Sequence, residues 1–420
     1  MFKFIHAADL HIDSPLRGLE AYPGAPVDKL RAATRDAFEN LITLAIEQQV
    51  AFVVIAGDLF DGKWQDTRTG LWTAGQFRQL EREQIPVYLL RGNHDAASKV
   101  RQAVSWPSNV QEFSVRTPQT FKLKDIGVAL HGQGFRHQEC AEDLAATYPE
   151  TVRGMFNIGV LHTSLTGNSE HDTYAPTSED VLVGKGYDYW ALGHIHQRSD
   201  PPIREEPFIA YSGNTQGRHI RETGPRGCFL NTVADGELTN VEFMETDVLR
   251  WHLAEVELSE SDDLPDLHAA VRDALATCRD ESEGRFCAVR VVVRGACEAH
   301  RALVERVKRE ETLAEIRNQA NDLDDDIWVE KIKLETRAPV DIEQLRRGSD
   351  LVADLLVATN ELRHDDEQIV KLASDLAPLA AKAATELSDC EINFEDPQQL
   401  RAWLDDAEAM LVSRMVETHG

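Results

Sequence analysis

No apolar run in this sequence approaches the roughly 18 uninterrupted residues that a membrane-spanning helix needs, so nothing reads as a bilayer span. The opening residues, Met1 to His6, offer neither a long apolar core nor a small-residue cleavage site, and no secretory signal is expected. Cysteine is sparse. Cys140, Cys228, Cys278, Cys287, Cys297 and Cys390 are scattered without a Cys-x-x-Cys, which speaks against a zinc ribbon and fits free thiols in a reducing cytoplasm better than a disulfide framework. No Gly-x-x-x-x-Gly-Lys-Ser/Thr is present, so the chain carries no nucleotide-hydrolysing motor of its own. Internal repeats and low-complexity tracts are missing too. The largest deficit is positive charge, with a formal net charge of −28. A protein that simply coats nucleic acid is basic, because phosphate neutralisation supplies most non-specific affinity. This chain is repelled by a polyanion at long range, so any nucleic-acid work must lean on metal ions, a local basic patch or a partner.

What is there is a two-part pattern. At 420 residues the chain exceeds what one hydrophobic core serves, and two or three domains are expected. In the first half, short β-branched runs alternate with helical periods. Phe2–Ala7 reads as a strand, Val27–Glu47 as a helix, Ala51–Ala56 as a strand covered on both faces, Thr69–Glu83 as a helix and Pro86–Leu90 as another buried strand. That β-α-β-α-β order indicates a layered α/β domain. Later strands at Val128–His131, Ile158–His162, Tyr187–Leu192, Phe208–Tyr211, Cys228–Thr232 and Val241–Met244 lack intervening helices. They are expected to form a second, more antiparallel sheet packed on the first. After about residue 248 the pattern restarts as a small β-α-β-α-β unit: strand His252–Leu258, helix Asp266–Ala276, strand Phe286–Arg294, helix His300–Glu310 and strand Ile327–Glu335. Beyond Pro339 only amphipathic helices are legible, over Asp341–Ala358, Glu367–Ser388 and Asp396–Val416. The last has Asp396 as N-cap and Pro397 at its first position. The expected domains are 1–248, 249–338 and 339–420.

Five short motifs fall at the ends of predicted strands: Asp9-Leu10-His11, Gly57-Asp58, Gly92-Asn93-His94-Asp95, Leu161-His162 and Gly193-His194-Ile195-His196. Each alone is weak, since a Gly-Asp after a strand is ordinarily just a turn. Together they converge, because ligands of open α/β sheets gather beyond the carboxyl ends of the strands. Their carboxylates, imidazoles and amide carbonyl suit Mn, Fe or Zn rather than a thiolate-bound metal.

This order of motifs resembles the calcineurin-like metallophosphoesterase superfamily across roughly residues 1–245. The segments Ala8–Pro15, His171–Pro176, Tyr189–His196 and Ser212–Arg218 are similar to the SbcD/YhaO-like DNA repair exonucleases. The resemblance implies a two-sheet α/β/β/α sandwich, followed here by a small α/β capping domain and a helical C-terminal region. It implies two divalent metal ions, Mn²⁺ first and Fe or Zn as alternatives. Asp9, His11 and His196 would hold one ion, and Asn93, His162 and His194 the other, with Asp58 bridging. Two cations about 3.5–4 Å apart clamp a scissile phosphate and generate a nucleophile from water, and a bridging carboxylate screens their repulsion. His94 would face the substrate as acid or charge stabiliser, with Asp95 or another carboxylate fixing its tautomer.

Other residues support two readings each. Asp13 is equally a supporting residue of the site or a turn residue before Pro15, and His131 reads more simply as structural. His171 and Asp172 are candidate substrate contacts. Arg218, His219, Arg221 and Arg226 form a local basic cluster, either a solvated loop or a contact for DNA phosphates. The resemblance implies an SMC-like, SbcC-type ATPase partner, which would supply the grip on DNA that an acidic chain lacks; the helices from Asp341 onward either dock it or pack on each other or on the small domain. A homodimer is a further expectation. The competing function is a small-molecule phosphodiesterase on the same centre. A scaffold that has lost its chemistry fits poorly, since all seven ligand positions and His94 are filled.

Overall fold

The computed structural model describes residues 1–14, 25–61, 67–97, 105–165, 174–339, 345, 351–373 and 396–419. The first strand, β1 (Phe2–Ala7), lies beside β2 (Phe52–Ala56), β3 (Val87–Leu90) and β4 (Val110–Glu112), all parallel. Helices α1 (Val27–Glu47) and α2 (Thr67–Arg82) make the crossovers, and the short helix α3 (Asn93–Ala97) follows β3. Strand alternation explains why β2 is apolar on both faces. Val53 and Ile55 pack with Phe38, Leu41, Phe77 and Leu80 of the helices, while Phe52, Val54 and Ala56 turn to a second sheet.

That second sheet runs β5 (Gln119–Leu123), β6 (Val128–Gly132), β7 (Phe156–His162), β8 (Tyr189–Gly193) and β9 (Phe208–Tyr211). Phe4, Phe52, Tyr88 and Leu90 meet Leu130, Ile158, Val160 and Tyr189 between the sheets. The outer face is covered by Leu144, Tyr148 and Leu182, the last on α4 (Glu179–Gly184), giving four layers, α/β/β/α.

The expected antiparallel character is corrected here. Strands β6 to β9 are parallel, and only β5 runs against its neighbour. The connections over 133–155, 163–188 and 194–207 are long enough for parallel crossovers. Among the described residues they are largely irregular, with only the short α4 in the second, and so leave little helical period to read. The last two strands of this group, β10 (Gly227–Ala234) and β11 (Glu237–Glu245), belong instead to the first sheet, where β10 pairs antiparallel with β1.

A third sheet contains β12 (Leu249–Glu257), β13 (Phe286–Ala296) and β14 (Ile327–Arg337). Helix α5 (Leu264–Glu281) connects the first two. The single helix expected over His300–Glu310 is two, α6 (Ala299–Val304) and α7 (Arg306–Leu323), parted by an extended Glu305. The chain divides into two compact units: 1–253 with 278–290 and 324–331, and 254–277 with 291–323 and 332–420.

Within the second unit, α8 (Leu351–Arg363), α9 (Asp366–Ala373) and α10 (Pro397–His419) pack on one another, Leu356 against Val412 and Ile369 against Leu400. The Asp396 carboxylate accepts from Gln398 N at 2.9 Å, as its N-cap reading requires. Residues 341–344, 346–350 and 374–388 of the expected helices lie outside the described residues. No helix among the described residues is long and apolar enough to cross a membrane.

Candidate metal centre

Every chemically promising motif sits just past the carboxyl end of a strand: Asp9 and His11 after β1, Asp58 after β2, Asn93 after β3, His162 ending β7, and His194 and His196 after β8. Four of these bend the backbone into the left-handed region, Asp9 (φ 52°), His11 (φ 44°), Asp58 (φ 52°) and His194 (φ 102°). Such conformations cost of order 1–3 kcal/mol each and persist where surrounding structure imposes them. Here the two loops are zipped together: Asp9, His11 and Ile12 N–H donate to Gly57, Asp58 and Leu59 carbonyls, each at 3.0 Å. Two glycines permit the close approach. A Cβ on Gly57 would stand 2.3 Å from His162 Nδ1, and one on Gly92 2.2 Å from Asp58 Oδ1.

The side chains converge on one buried spot. Three overlapping sets of potential ligand atoms each fall within 4.8 Å: Asp9, His11 and His196; Asp9, Asp58 and His162; and His11, Asp58 and His94. His162 donates Nδ1–H to Ala56 O at 2.9 Å, which leaves Nε2 facing Asn93 Oδ1 at 2.8 Å and Asp58 Oδ2 at 3.4 Å. His196 Nδ1 faces Glu222 at 2.8 Å, which turns its Nε2 to His11 Nε2, 3.2 Å away. Lone pairs that face lone pairs in a dry site need a proton or a cation between them, so the donor set fits divalent metal ions. His194 stands beside the cluster, its ring 5.2 Å from that of His162 and 5.3 Å from that of Tyr174, and its N–H binds Asp9 at 3.0 Å.

Electrostatics follow from burial and these contacts. Burial drives the Asp9 carboxyl above its ordinary range, against the pull of His162. For Asp58 burial acts the same way, but His162 and the His94 N–H outweigh it and hold the carboxyl at about 2. Burial would neutralise His162, yet the Asp58 and Asp9 carboxylates lift it to about 9 without a metal. His11 is held neutral by burial and by the Arg218, His196 and His94 charges. His94 is the more open imidazole, its side chain 36% exposed, and burial is outweighed there by Asp61 and Asp58, which raise it.

The role expected of Asp95 is corrected. Its buried carboxylate accepts from the backbone N–H of Leu59, Phe60 and Gly92 at 3.0–3.2 Å, clamping the Asp58 loop to the Gly92 turn. The carboxylate opposite His94 Nδ1 is that of Asp61, at 3.5 Å. Asp13 joins α1 to α2 by binding Arg35 and Thr69, and so acts as a strut. His131 is structural, between Thr120 and Asn157 and stacked 4.4 Å from Tyr187.

The basic cluster separates into unlike parts. Arg226 is buried and binds His196 O, Asn214 Oδ1 and Thr223 O, so it braces the loop. Arg221 is exposed. Arg218 is held by Glu222, which accepts its backbone N–H at 2.7 Å and its Nη2 at 3.0 Å. Glu222 is the residue that sequence reasoning missed. It touches both the candidate ligand His196 and Arg218, and its only signal was a spacing of four residues from Arg218. Gln216 sets this loop by binding Leu249 O and Val248 N. His171 and Asp172 lie outside the described residues.

The strand ends, the Asp58 carboxylate shared by two of these sets and the imidazole cluster fit a metal-dependent phosphoesterase, and comparison with known proteins makes the assignment specific. The model of the calcineurin-like phosphoesterases matches residues 2–198, and that of the middle domain of metallophosphoesterase YhaO matches residues 251–337. The chain is 33% identical over 345 residues to the uncharacterized metallophosphoesterase YhaO of Bacillus subtilis, spanning 81% of this chain and 84% of that protein. It is 26% identical over 289 residues to the DNA double-strand break repair protein Mre11 of Methanopyrus kandleri, spanning 61% of this chain and 59% of that protein. The protein belongs to the calcineurin-like metallophosphoesterases, in a YhaO-like branch. Enzymes of this family work with a dimetal centre, for which the buried Asp and His groups above are the available ligands.

Proposed function

We propose that the protein hydrolyses DNA phosphodiester bonds in repair, as an exonuclease or endonuclease, together with an SMC-like, SbcC-type ATPase. The observation that carries the reading is His94, open on one side and backed by Asp61, beside the buried carboxylate–imidazole cluster. In this reading Asp9, His11 and His196 would hold one ion and Asn93, His162 and His194 the other, with Asp58 available to both. Two divalent ions there, Mn²⁺ in this proposal, supply Lewis acidity that polarises a phosphoryl group and acidifies water. Asp61 and Asp58 raise the His94 imidazole above its ordinary range, which favours the protonated form that in this reading gives its Nε2 proton to the leaving alkoxide. Arg218, pinned by Glu222, positions a phosphate of the strand, and Arg221 contacts the backbone farther out.

DNA as substrate draws support from the similarity to a protein named for double-strand break repair. The net charge of −28 argues that this enzyme needs a partner to hold a polyanion, and the C-terminal helices are the proposed docking element. A homodimer would serve the same end. The test is hydrolysis of linear duplex and single-stranded DNA with Mn²⁺, beside Asp58→Ala, His94→Ala and a small chromogenic diester. We expect DNA cleavage abolished by Asp58→Ala and reduced at least 10²-fold by His94→Ala. Turnover of the small diester with no DNA cleavage, even with the ATPase added, overturns the nuclease reading in favour of a small-molecule phosphodiesterase.

A further inference from the structure

A cavity of about 370 Å³ lies on the loop that carries Phe135, lined among others by Arg116, Gln133, Phe135, Arg136, His137 and Cys140. Its volume lies in the range of small-ligand sites, roughly 300–1,000 Å³. The lining loop leaves the carboxyl end of β6, next to β7 with its terminal His162. That is the edge where parallel sheets collect ligands. Phe135 joins the two places directly, its ring meeting that of His162 edge-on with centroids 5.6 Å apart. The loop is held in place: Phe135 N donates to Arg91 O at 2.9 Å, Gln133 N to Tyr148 Oη at 2.9 Å, and Ala175 N to Cys140 O at 2.6 Å. The last bond ties the cavity wall to the segment whose Tyr174 packs on His194.

The chemistry of the lining is mixed. Arg116, Arg136 and His137 are exposed, and neither guanidinium has an ion-pair partner among the described residues. Glu139, Glu142 and Gln133 supply acceptors. The guanidiniums can take an anionic group, and the carboxylates and the Gln133 amide oxygen can accept from N–H donors. A nucleotide satisfies both, since its phosphate is anionic and its base edge carries N–H donors.

Resting on the nuclease reading above, we propose that this cavity is a subsite for a nucleotide of the bound strand, on the far side of Phe135 from the metal centre. It would give an acidic enzyme a local grip on a single strand, where the chain's overall charge is repulsive.

Cys140 makes the proposal testable by a route other than activity. It is partly exposed, whereas Cys228, Cys278, Cys287 and Cys297 are buried. In the full-length His94→Asn, Cys390→Ser protein with Mn²⁺, maleimide labelling of Cys140 is followed with and without a single-stranded oligonucleotide. We expect the oligonucleotide to slow labelling at least fivefold, and Arg116→Glu with Arg136→Glu to remove that protection. In the otherwise wild-type enzyme the same pair should lower the kcat/KM ratio of single-stranded DNA to small diester more than tenfold. DNA cleavage with no protection of Cys140 at a saturating oligonucleotide concentration overturns the subsite alone. No DNA cleavage by the wild-type enzyme, with the small diester still turned over, overturns the nuclease reading and the subsite with it.

Discussion

Replacing Glu222 by Ala removes one carboxylate from two neighbours at once. The side chain is only 5% exposed, and it holds His196 Nδ1 at 2.8 Å, Arg218 N at 2.7 Å and Arg218 Nη2 at 3.0 Å. Burial would raise its carboxyl, but Arg218 and His196 outweigh this and keep it ionised, well below the usual carboxylate range. Removing one partner of a buried ion pair costs about 3–5 kcal/mol. Arg218, with a side chain 15% exposed, can turn partly to water, so the lower end, about 3 kcal/mol, is expected. In a unit of this size that lowers Tm by about 6–12 °C. His196 also loses the acceptor that selects its tautomer, and loss of such an orienting group weakens metal binding by about 10–100-fold.

The two effects are read separately. Thermal unfolding in chelator reports the ion pair, and calorimetric titration with Mn²⁺ reports the orientation of His196. Glu222→Gln should fall between wild type and Glu222→Ala in both, because its amide oxygen still accepts from His196 without carrying charge. A Glu222→Ala protein with unchanged Tm in chelator and unchanged Mn²⁺ affinity would refute the reasoning.

Two further outcomes follow from the described contacts. Asp61→Asn removes a charge that raises His94. A general acid must be protonated, so the alkaline limb of the kcat profile should move to lower pH, and an unmoved limb rules out Asp61 as the partner of His94. His6, buried between Tyr189 Oη and Leu192 O, has its pKa lowered by burial to about 4 from 6.5. The unfolded chain therefore takes up a proton between these values that the folded protein refuses, and stability falls as pH drops from 6.5 to 4. The loss approaches about 3 kcal/mol. Urea unfolding of wild type and His6→Gln should give profiles that converge toward acid, and parallel profiles would count against this account.

Much of the catalytic unit was legible from local pattern. A strand covered on both faces, such as Phe52–Ala56, announces itself by an unbroken apolar run, and Asp9, Asp58, Asn93, His162 and His194 stand beside such runs. Sequence neighbours decide these features, since period and turn chemistry act over a few residues. The direction of the second sheet was not legible, because the described parts of its crossovers are largely irregular. The partner of His94 stays open in the sequence, between Asp95 and another carboxylate, for a similar reason. Asp95 is adjacent in the chain, but the short helix Asn93–Ala97 turns its carboxylate to the backbone of Leu59, Phe60 and Gly92 and leaves Asp61 opposite the imidazole.

The sequence by itself determined which residues stand at the strand ends, and with them the family's metal chemistry. Only the tertiary structure decided which carboxylate steadies which imidazole. Asp61 with His94 and Glu222 with His196 are contacts across 33 and 26 residues of chain, set by how separate loops close over one site. No periodicity encodes such pairings, because charge acts through space and takes no account of distance along the chain.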